Sequence, residues 1–149
     1  MIFQIMKMVN NRSFYIAHPL PSKHKVRQWQ LDVELKVGAI FINPFYDEWG
    51  EEIRLEKSGS RYEVSAQWLI ERDLGLIAKS DGIIAIIDGN MSYGTIMEIV
   101  YAKIFKKPVF LVVTNSEAKH PWFRYHANKI FSDFKELEEY IMKIKNKGR

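Results

Sequence analysis

The chain has 149 residues, 47% of them hydrophobic and 13% aromatic, which is enough apolar material for one domain spanning residues 1–149. It contains no cysteine, which excludes disulfides, thiolate zinc sites and a cysteine nucleophile, and its four histidines are scattered, so we expect no metal ion and no cofactor. The formal net charge of +4 owes much to a basic tail, residues 143–149. Cations at a helix end are often simply solvated, so nucleic acid is not the expected partner.

The first half of the chain begins with a leader, residues 1–12, whose apolar stretch is too short for a signal peptide or a membrane span. We therefore expect a cytoplasmic protein. The pattern then predicts a strand at "SFYIA" (13–17), a helix over 22–37 and a second strand at "AIFIN" (39–43). The polar stretch over 44–60 is longer than a structural connection needs, which predicts a lid or binding loop.

The second half of the chain continues this alternation. A helix is predicted over 61–79, followed by "GIIAIID" (82–88), a continuous apolar run typical of a central parallel strand. A helix from about 95 to 105, a strand over 108–114, a short "KIF" strand and a last helix come next, with Asp133 and Glu136 as its capping box. The pattern predicts an α/β fold: a five-stranded parallel sheet in the flavodoxin-like or Rossmann-like order 2-1-3-4-5, with helices on both faces.

Ligands of such sheets bind at the carboxyl ends of the strands, here between the first and third strands. The segment after strand one, "YIAHPLPSKHKVR", has Ser22 as a predicted helix N-cap. Four basic residues follow in the first turns of that helix: Lys23, His24, Lys25 and Arg27. Because a helix start already carries a positive dipole, two readings stay open, a phosphate site and a solvated basic surface.

The segment after strand three, "DGNMSYGTIME", gives a second helix start, where Ser92 and the backbone of Gly94 are available to a polar ligand. Glu98 lies about one turn further on, alone in an apolar run. A buried carboxylate costs free energy unless it is paired or used. Proximity to the helix start predicts the ionised form that a nucleophile or base needs, while an acid paired structurally with a Lys or Arg remains the alternative.

Other acids are less distinctive. Glu71, Arg72 and Asp73 together interrupt the apolar run of the preceding helix, and periodicity does not say which of them faces inward. Asp81 and Asp88 are interpreted as ordinary cap and turn residues.

Three segments in this order, "FYIAHPL", "RDLGLIAKSDGIIAIIDG" and "SYGTIMEIVYAKIFKKPVFLV", resemble the nucleoside 2-deoxyribosyltransferase family and its nucleoside 5'-monophosphate N-glycosidase relatives. The resemblance spans about residues 13–114. It implies that Glu98 attacks the anomeric carbon to form a covalent glycosyl enzyme, which water or a second base resolves. It also implies that Tyr15 hydrogen-bonds Glu98 and that Asp73 manages the proton of the departing base.

Two departures from the family bear on the substrate. Members that act on free nucleosides often have Asp where this chain has Ser92, whereas the monophosphate hydrolases tend to have a Ser that contacts phosphate. Together with the cations after strand one, notably Lys23 and Arg27, Ser92 favours a nucleoside or deoxynucleoside 5'-monophosphate. His18 stands where the family usually has Gly, and we consider it a candidate phosphate or base contact.

The resemblance further implies a homo-oligomer in which a neighbouring subunit contributes an Asn from the loop after strand four. This chain has Trp122 and Phe123 there, which we interpret as a dimer contact or core edge, with base stacking on Trp122 as a lesser alternative. Two other functions remain open: a non-catalytic module that binds or senses nucleotides, and a nucleic-acid-binding domain that uses Lys143, Lys145 and Lys147.

Overall fold

The structure, a computed structural model, describes residues 12–53, 64–90 and 92–147. The predicted leader up to residue 11, the second half of the predicted lid and the last two residues of the basic tail lie outside the described residues. The helices and strands, in chain order, are β1 (Ser13–Ala17), α1 (Lys23–Val37), β2 (Ile40–Ile42), α2 (Ala66–Lys79), β3 (Gly82–Ile87), α3 (Tyr93–Ile104), β4 (Val109–Val113), α4 (Pro121–His126), β5 (Lys129–Phe131) and α5 (Phe134–Lys147). Short 3₁₀ turns precede α1 (Leu20–Ser22) and α4 (Ser116–Lys119).

The five strands form one sheet in the order β2-β1-β3-β4-β5, and all neighbouring pairs are parallel. This confirms the predicted fold class and strand order. Element boundaries move by a few residues: α3 begins at Tyr93 rather than near residue 95, because the Ser92 side chain accepts a hydrogen bond from the Thr95 N–H and caps the helix. Ser65 caps α2 in the same way, so residues 64 and 65 lie before that helix.

The sheet separates two cores, and β1 shows why. Successive side chains of a strand point to opposite faces, so Phe14 and Ile16 join one core while Tyr15 and Ala17 join the other. The first core is closed by residues of α1 and α5: Val26, Val33, Val37, Leu137 and Ile141. The second is closed by residues of α2 and α3: Ile77, Ile99 and Ala102. Helices therefore cover both faces, as predicted.

The last helix carries the predicted capping box. The Glu136 N–H donates to Asp133 Oδ1 at 2.8 Å, and the Glu136 carboxylate accepts from the Ser132 N–H at 2.9 Å. Within the described ranges, no helix combines the length and the apolar character needed to cross a bilayer.

Candidate active site

A cavity of about 780 Å³ opens at the carboxyl ends of the first three strands, where the strand order reverses. We call it the Glu98 pocket. Its walls come from the ends of β1 and β2, from α2 and from the first turn of α3, and consist of His18, Leu20, Lys23, Pro44, Phe45, Glu52, Ile53, Leu69, Ile70, Asp73, Ser92, Gly94, Thr95 and Glu98. Five predicted site residues thus meet here together with Glu98 itself. In the described part of the chain, no group of three or more acidic or histidine side chains is placed to hold a metal ion.

The Tyr15 hydroxyl group donates a hydrogen bond to Glu98 Oε1 across 2.6 Å. Tyr15 lies in the middle of β1 and is fully buried in the core under α3, so its ring cannot swing away from the carboxylate. This is the contact that the family resemblance implies. It is also the only hydrogen bond that the described residues make to Glu98, which leaves the second carboxylate oxygen for a ligand in the pocket.

The ionisation of Glu98 differs from the prediction. Burial raises the pKa of Glu98 to about 8, the hydrogen bond from Tyr15 acts in the opposite direction, and the nearby Asp73 charge raises the pKa further. Burial outweighs proximity to the start of α3, so the prediction that Glu98 is held in the ionised form was wrong. The same surroundings, with burial as the first cause, raise the pKa of Tyr15 well above its ordinary value.

Asp73 is the inward-facing member of the trio on α2. It is buried and lines the Glu98 pocket, Arg72 is partly buried, and Glu71 is exposed. Burial raises the pKa of Asp73 to about 6, although the adjacent Arg72 guanidinium, 2.9 Å from Asp73 Oδ1, acts against this rise. The pocket therefore holds two carboxyl groups on separate helices, both with raised pKa values.

The first turn of α3 forms the wall beside Glu98. Ser92 is the N-cap, and its hydroxyl group lies 2.7 Å from that of Thr95. Apart from its chain neighbours and the backbone of its own helix, no atom lies within 4 Å of the place where a Cβ of Gly94 would stand, so the pocket is open beside Gly94. Ser92 and Gly94 thus line the pocket at the helix start where the sequence predicts a polar contact with a ligand.

His18 lines the pocket but turns both ring nitrogens away from it. Nε2 lies 3.1 Å from Asn43 Oδ1 and Nδ1 lies 3.2 Å from the Pro19 carbonyl oxygen, while the ring packs 4.5 Å from that of Phe45. Both ring nitrogens thus lie beside protein oxygen atoms. The contact of His18 with a phosphate or a base stays a prediction.

The predicted cations only partly converge on the pocket. Lys23 lines it and forms an ion pair with Glu52. Arg27 instead lies 4.2 Å above the ring of Tyr46 and is not part of the pocket wall. Ser22 occupies the N-cap position of α1, but its hydroxyl group donates to Asp88 rather than to the helix backbone. Of Ser22, Lys23 and Arg27, Lys23 alone lines the Glu98 pocket.

The described part of the predicted lid, residues 44–53, folds back on itself beside the pocket, and we call it the pocket loop. The Ile53 N–H donates to the Phe45 carbonyl oxygen at 2.7 Å, and Asp47 Oδ1 accepts from two backbone N–H groups at the tip of the turn. Phe45 and Ile53 form an apolar wall that sequence reasoning missed. Two large apolar side chains within a polar segment were the available signal.

The aromatic residues after β4 lie elsewhere. Trp122 is two-thirds exposed and lines a separate cavity of about 370 Å³ together with Asn115 and His120, while Phe123 packs against the core. Trp122 is not part of the wall of the Glu98 pocket, but its cavity shares Ser92 and Thr95 with that pocket. Base stacking on Trp122 stays a prediction. The reading of Phe123 as a core edge fits. Asp81, read as a helix cap, instead accepts a hydrogen bond from the Ser13 N–H at the start of β1.

Known proteins resemble this chain in sequence pattern and in fold. The sequence profile of the family described as nucleoside 2-deoxyribosyltransferase matches residues 6–142. No curated protein matches the chain significantly. Among solved structures, a 2-deoxyribosyltransferase from Bacillus psychrosaccharolyticus superposes with a TM-score of 0.65 at 22% identity, covering 86% of this chain and 91% of that one.

Two further structures share the fold. The CMP N-glycosidase BcmB of Clostridium botulinum has a TM-score of 0.59 at 18% identity, covering 89% of this chain and 98% of its own. A 2-deoxyribosyltransferase from Leishmania mexicana has a TM-score of 0.62 at 16% identity, with 89% and 97% covered. The family profile extends over most of the chain, and the chain therefore belongs to the nucleoside 2-deoxyribosyltransferase family.

Proposed function

We propose that this protein cleaves the N-glycosidic bond of a nucleoside or deoxynucleoside, with the 5'-monophosphate as the favoured substrate, through a covalent glycosyl-Glu98 intermediate. The observation that carries the proposal is one pocket in which Glu98, held by Tyr15, and Asp73, on a neighbouring helix, are both free to face a ligand. Two carboxyl groups with separate roles are what cleavage of a glycosidic bond with retention requires.

In the first step, a Glu98 oxygen bonds to the anomeric carbon while the bond from that carbon to the base nitrogen breaks. The base leaves with the electron pair of that bond and takes a proton from Asp73. In the second step, water or a second base attacks the anomeric carbon, its proton passes to Asp73, and the Glu98 carboxylate departs. A fixed carboxylate next to the positive charge that develops on the sugar lowers the barrier of both steps.

The two carboxyl groups titrate as a coupled pair. Burial raises their pKa values, to about 6 for Asp73 and about 8 for Glu98, so the pair holds one proton at neutral pH. The reactive form of the pair has Glu98 ionised and Asp73 protonated, and the positive charge that develops on the sugar ring favours this form. The dependence of kcat/KM on pH is therefore bell-shaped, with limbs near the two pKa values of the pair.

Support for a 5'-monophosphate comes from Ser92 and Lys23, which both line the pocket. A serine hydroxyl group donates to a phosphate that an aspartate would repel, and a lysine contributes a compact positive charge. Lys23 forms an ion pair with Glu52, so a bound phosphate competes with the Glu52 carboxylate for Lys23.

The test is a panel of nucleosides, deoxynucleosides and their 5'-monophosphates, each incubated with and without a second free base and separated by chromatography. Base released from monophosphates without an acceptor indicates a hydrolase, while a new nucleoside formed only with an acceptor indicates a transferase. Glu98→Ala abolishes either activity, whereas Glu139→Ala, an exposed acid on α5, does not. If nothing is turned over but nucleotides still bind, the protein is the nucleotide-binding module instead.

We further propose that a second copy of the chain covers the outer face of α3 and α4. Five large side chains on these helices are each between 60% and 75% exposed: Tyr93, Met97, Ile104, Trp122 and Tyr125. Glu98 and Lys103 are the only charged residues of α3, and a helix that is apolar all round is normally a buried one. The exposed apolar area is on the order of 700 Å² per copy, close to what each partner of a stable dimer buries.

A mainly aliphatic and aromatic surface, on which Lys103 lies over the Tyr125 ring, suits a copy of itself related by a two-fold axis. Light scattering after size exclusion is therefore expected to give a dimer or a higher oligomer for the unmodified chain. Met97→Glu shifts the protein to a monomer, while Lys135→Glu, exposed on α5, leaves the assembly unchanged. A monomeric unmodified chain at micromolar concentration contradicts this proposal.

A further inference from the structure

Arg72 makes an unusual set of contacts for a residue outside the pocket wall. Its Nη1 donates to Asp73 Oδ1 at 2.9 Å and to the Pro44 carbonyl oxygen at 3.1 Å, and its Nη2 donates to the Tyr46 carbonyl oxygen at 3.1 Å. The guanidinium is partly buried and lies 5.9 Å from the Trp68 ring on the same helix. One planar fork thus joins a carboxylate of the candidate site to two backbone carbonyl groups some 26 to 28 residues earlier in the chain.

The two carbonyl groups belong to residues 44 and 46 of the pocket loop, on either side of Phe45. Phe45, between Pro44 and Tyr46, forms part of the pocket wall and packs on His18. Its own carbonyl oxygen accepts the Ile53 N–H, so holding residues 44 and 46 also holds the returning half of the loop. From the far side, Arg27 lies over the Tyr46 ring and fixes the loop against α1.

We propose that Arg72 is a positioning residue that couples the pocket loop to Asp73. Its guanidinium group fixes the apolar wall of the pocket. The same group fixes the position and the charge of the carboxyl group that transfers the proton. This inference rests on the proposed function, because it assigns the proton transfer to Asp73. Arg72 is not part of the pocket wall and acts through Asp73 and the loop. When the loop is held in place, the guanidinium has two carbonyl acceptors that fix it beside Oδ1.

Arg72 is the only cation that contacts Asp73 among the described residues. The other ionisable groups facing Asp73 are Glu98 from α3 and Tyr15 from β1, with the Lys23–Glu52 pair across the pocket. Burial raises the pKa of Asp73, and Arg72 opposes that rise both by its charge and by its hydrogen bond. Removing the guanidinium is therefore expected to move the titration of Asp73 to higher pH.

Two variants of Arg72 separate the effect of its positive charge from the effect of its planar set of hydrogen-bond donors. Arg72→Met keeps the length of the side chain but removes the charge and every donor, so it moves the acid limb of the kcat/KM profile up by at least about one pH unit and raises KM about 10-fold. Arg72→Lys keeps the charge and loses the fork, so it restores the acid limb but not KM. Lys79→Met, on the exposed end of the same helix, changes neither. If both Arg72 variants shift the limb equally, or neither shifts it, the proposal fails.

A second measurement needs no turnover. In a Glu98→Gln background, where the coupled carboxylate is absent, the Asp73 side-chain carbon is titrated by NMR with and without Arg72→Met. We expect a midpoint at least about one pH unit higher in the double variant, and faster hydrogen exchange at the Ile53 amide of the pocket loop. Unchanged values for both overturn the inference. The expected shifts in a protein that turns over no substrate support the coupling and contradict the proposed function.

Discussion

Two groups of buried polar side chains lie side by side at the same end of the sheet, and they differ in how their hydrogen bonds are used. The first runs from His18 through Asn43 to Gln30. Asn43 Nδ2 donates to Gln30 Oε1 at 3.1 Å, and Gln30 Nε2 donates to Glu34 and to the Phe41 carbonyl oxygen. The side-chain amide groups of Asn43 and Gln30 therefore both have protein partners. In the second group, Tyr15, Glu98 and Asp73, each carboxylate receives a single hydrogen bond from the described residues.

The orientation of the first group can be worked out from its far end. Gln30 must turn its nitrogen toward Glu34 and the Phe41 carbonyl group, which leaves its oxygen to accept from Asn43. The Asn43 oxygen then accepts from the Phe45 N–H and from Nε2 of His18. A network satisfied in this way rigidifies the fold, whereas carboxyl groups with unused oxygens in a pocket are available to a ligand. The first group is thus expected to govern stability, and the second turnover.

The largest effect is expected from Glu98→Gln, which tests whether the second group governs turnover. The amide keeps the shape and the contact with Tyr15 but cannot attack a sugar, so kcat falls at least about 1,000-fold. Melting temperature is measured in parallel and does not fall, because the variant removes a carboxylate that is costly to bury. A variant that loses stability but retains turnover reverses the assignment of the two groups.

Asn43→Leu tests whether the first group, which contains His18, Asn43 and Gln30, governs stability. It leaves His18 and Gln30 without their partner in a buried place, so the free energy of unfolding falls by about 2 to 4 kcal/mol, as measured by urea denaturation. Gln28→Leu, an exposed residue of α1, changes it by less than about 0.5 kcal/mol. A loss no greater than that of the control shows that the network contributes little to stability.

Tyr15→Phe acts on the site while it leaves the ring in the core. Loss of the hydroxyl group removes the hydrogen bond that lowers the pKa of Glu98, so that pKa rises further. We expect kcat/KM to fall about 10- to 100-fold and its alkaline limb to move to higher pH. A limb that moves to lower pH contradicts the role given to Tyr15.

The smallest effect is on the pH dependence of stability. Because the pKa of Glu98 rises from 4.5 to about 8 on folding, the folded chain binds this proton more tightly than the unfolded chain, and stability falls as pH increases through that window. Asp73 adds a similar fall between 3.8 and about 6. Above pH 6, Glu98→Gln therefore has the flatter curve of melting temperature, by about a few degrees at pH 8. Parallel curves for the two proteins contradict the raised pKa of Glu98.

Sequence patterns were sufficient for the sheet, because the continuous apolar run of β3 and the alternation of elements are local features. The contact between Tyr15 and Glu98 was anticipated through the family resemblance, since the two residues are 83 positions apart. Contacts that depend on how distant segments meet were not anticipated. These contacts include the hydrogen bonds from Arg72 to the pocket loop and the ion pair of Lys23 with Glu52. They also include the contacts of the His18 ring nitrogens.

The most direct test of the central claim is mass spectrometry of the protein after incubation with a deoxynucleoside 5'-monophosphate and a rapid acid quench. We predict a protein mass increased by one sugar phosphate unit, located on the peptide that contains Glu98 and absent from Glu98→Gln. Turnover of the same substrate without any such adduct, or an adduct that persists in Glu98→Gln, would contradict the account.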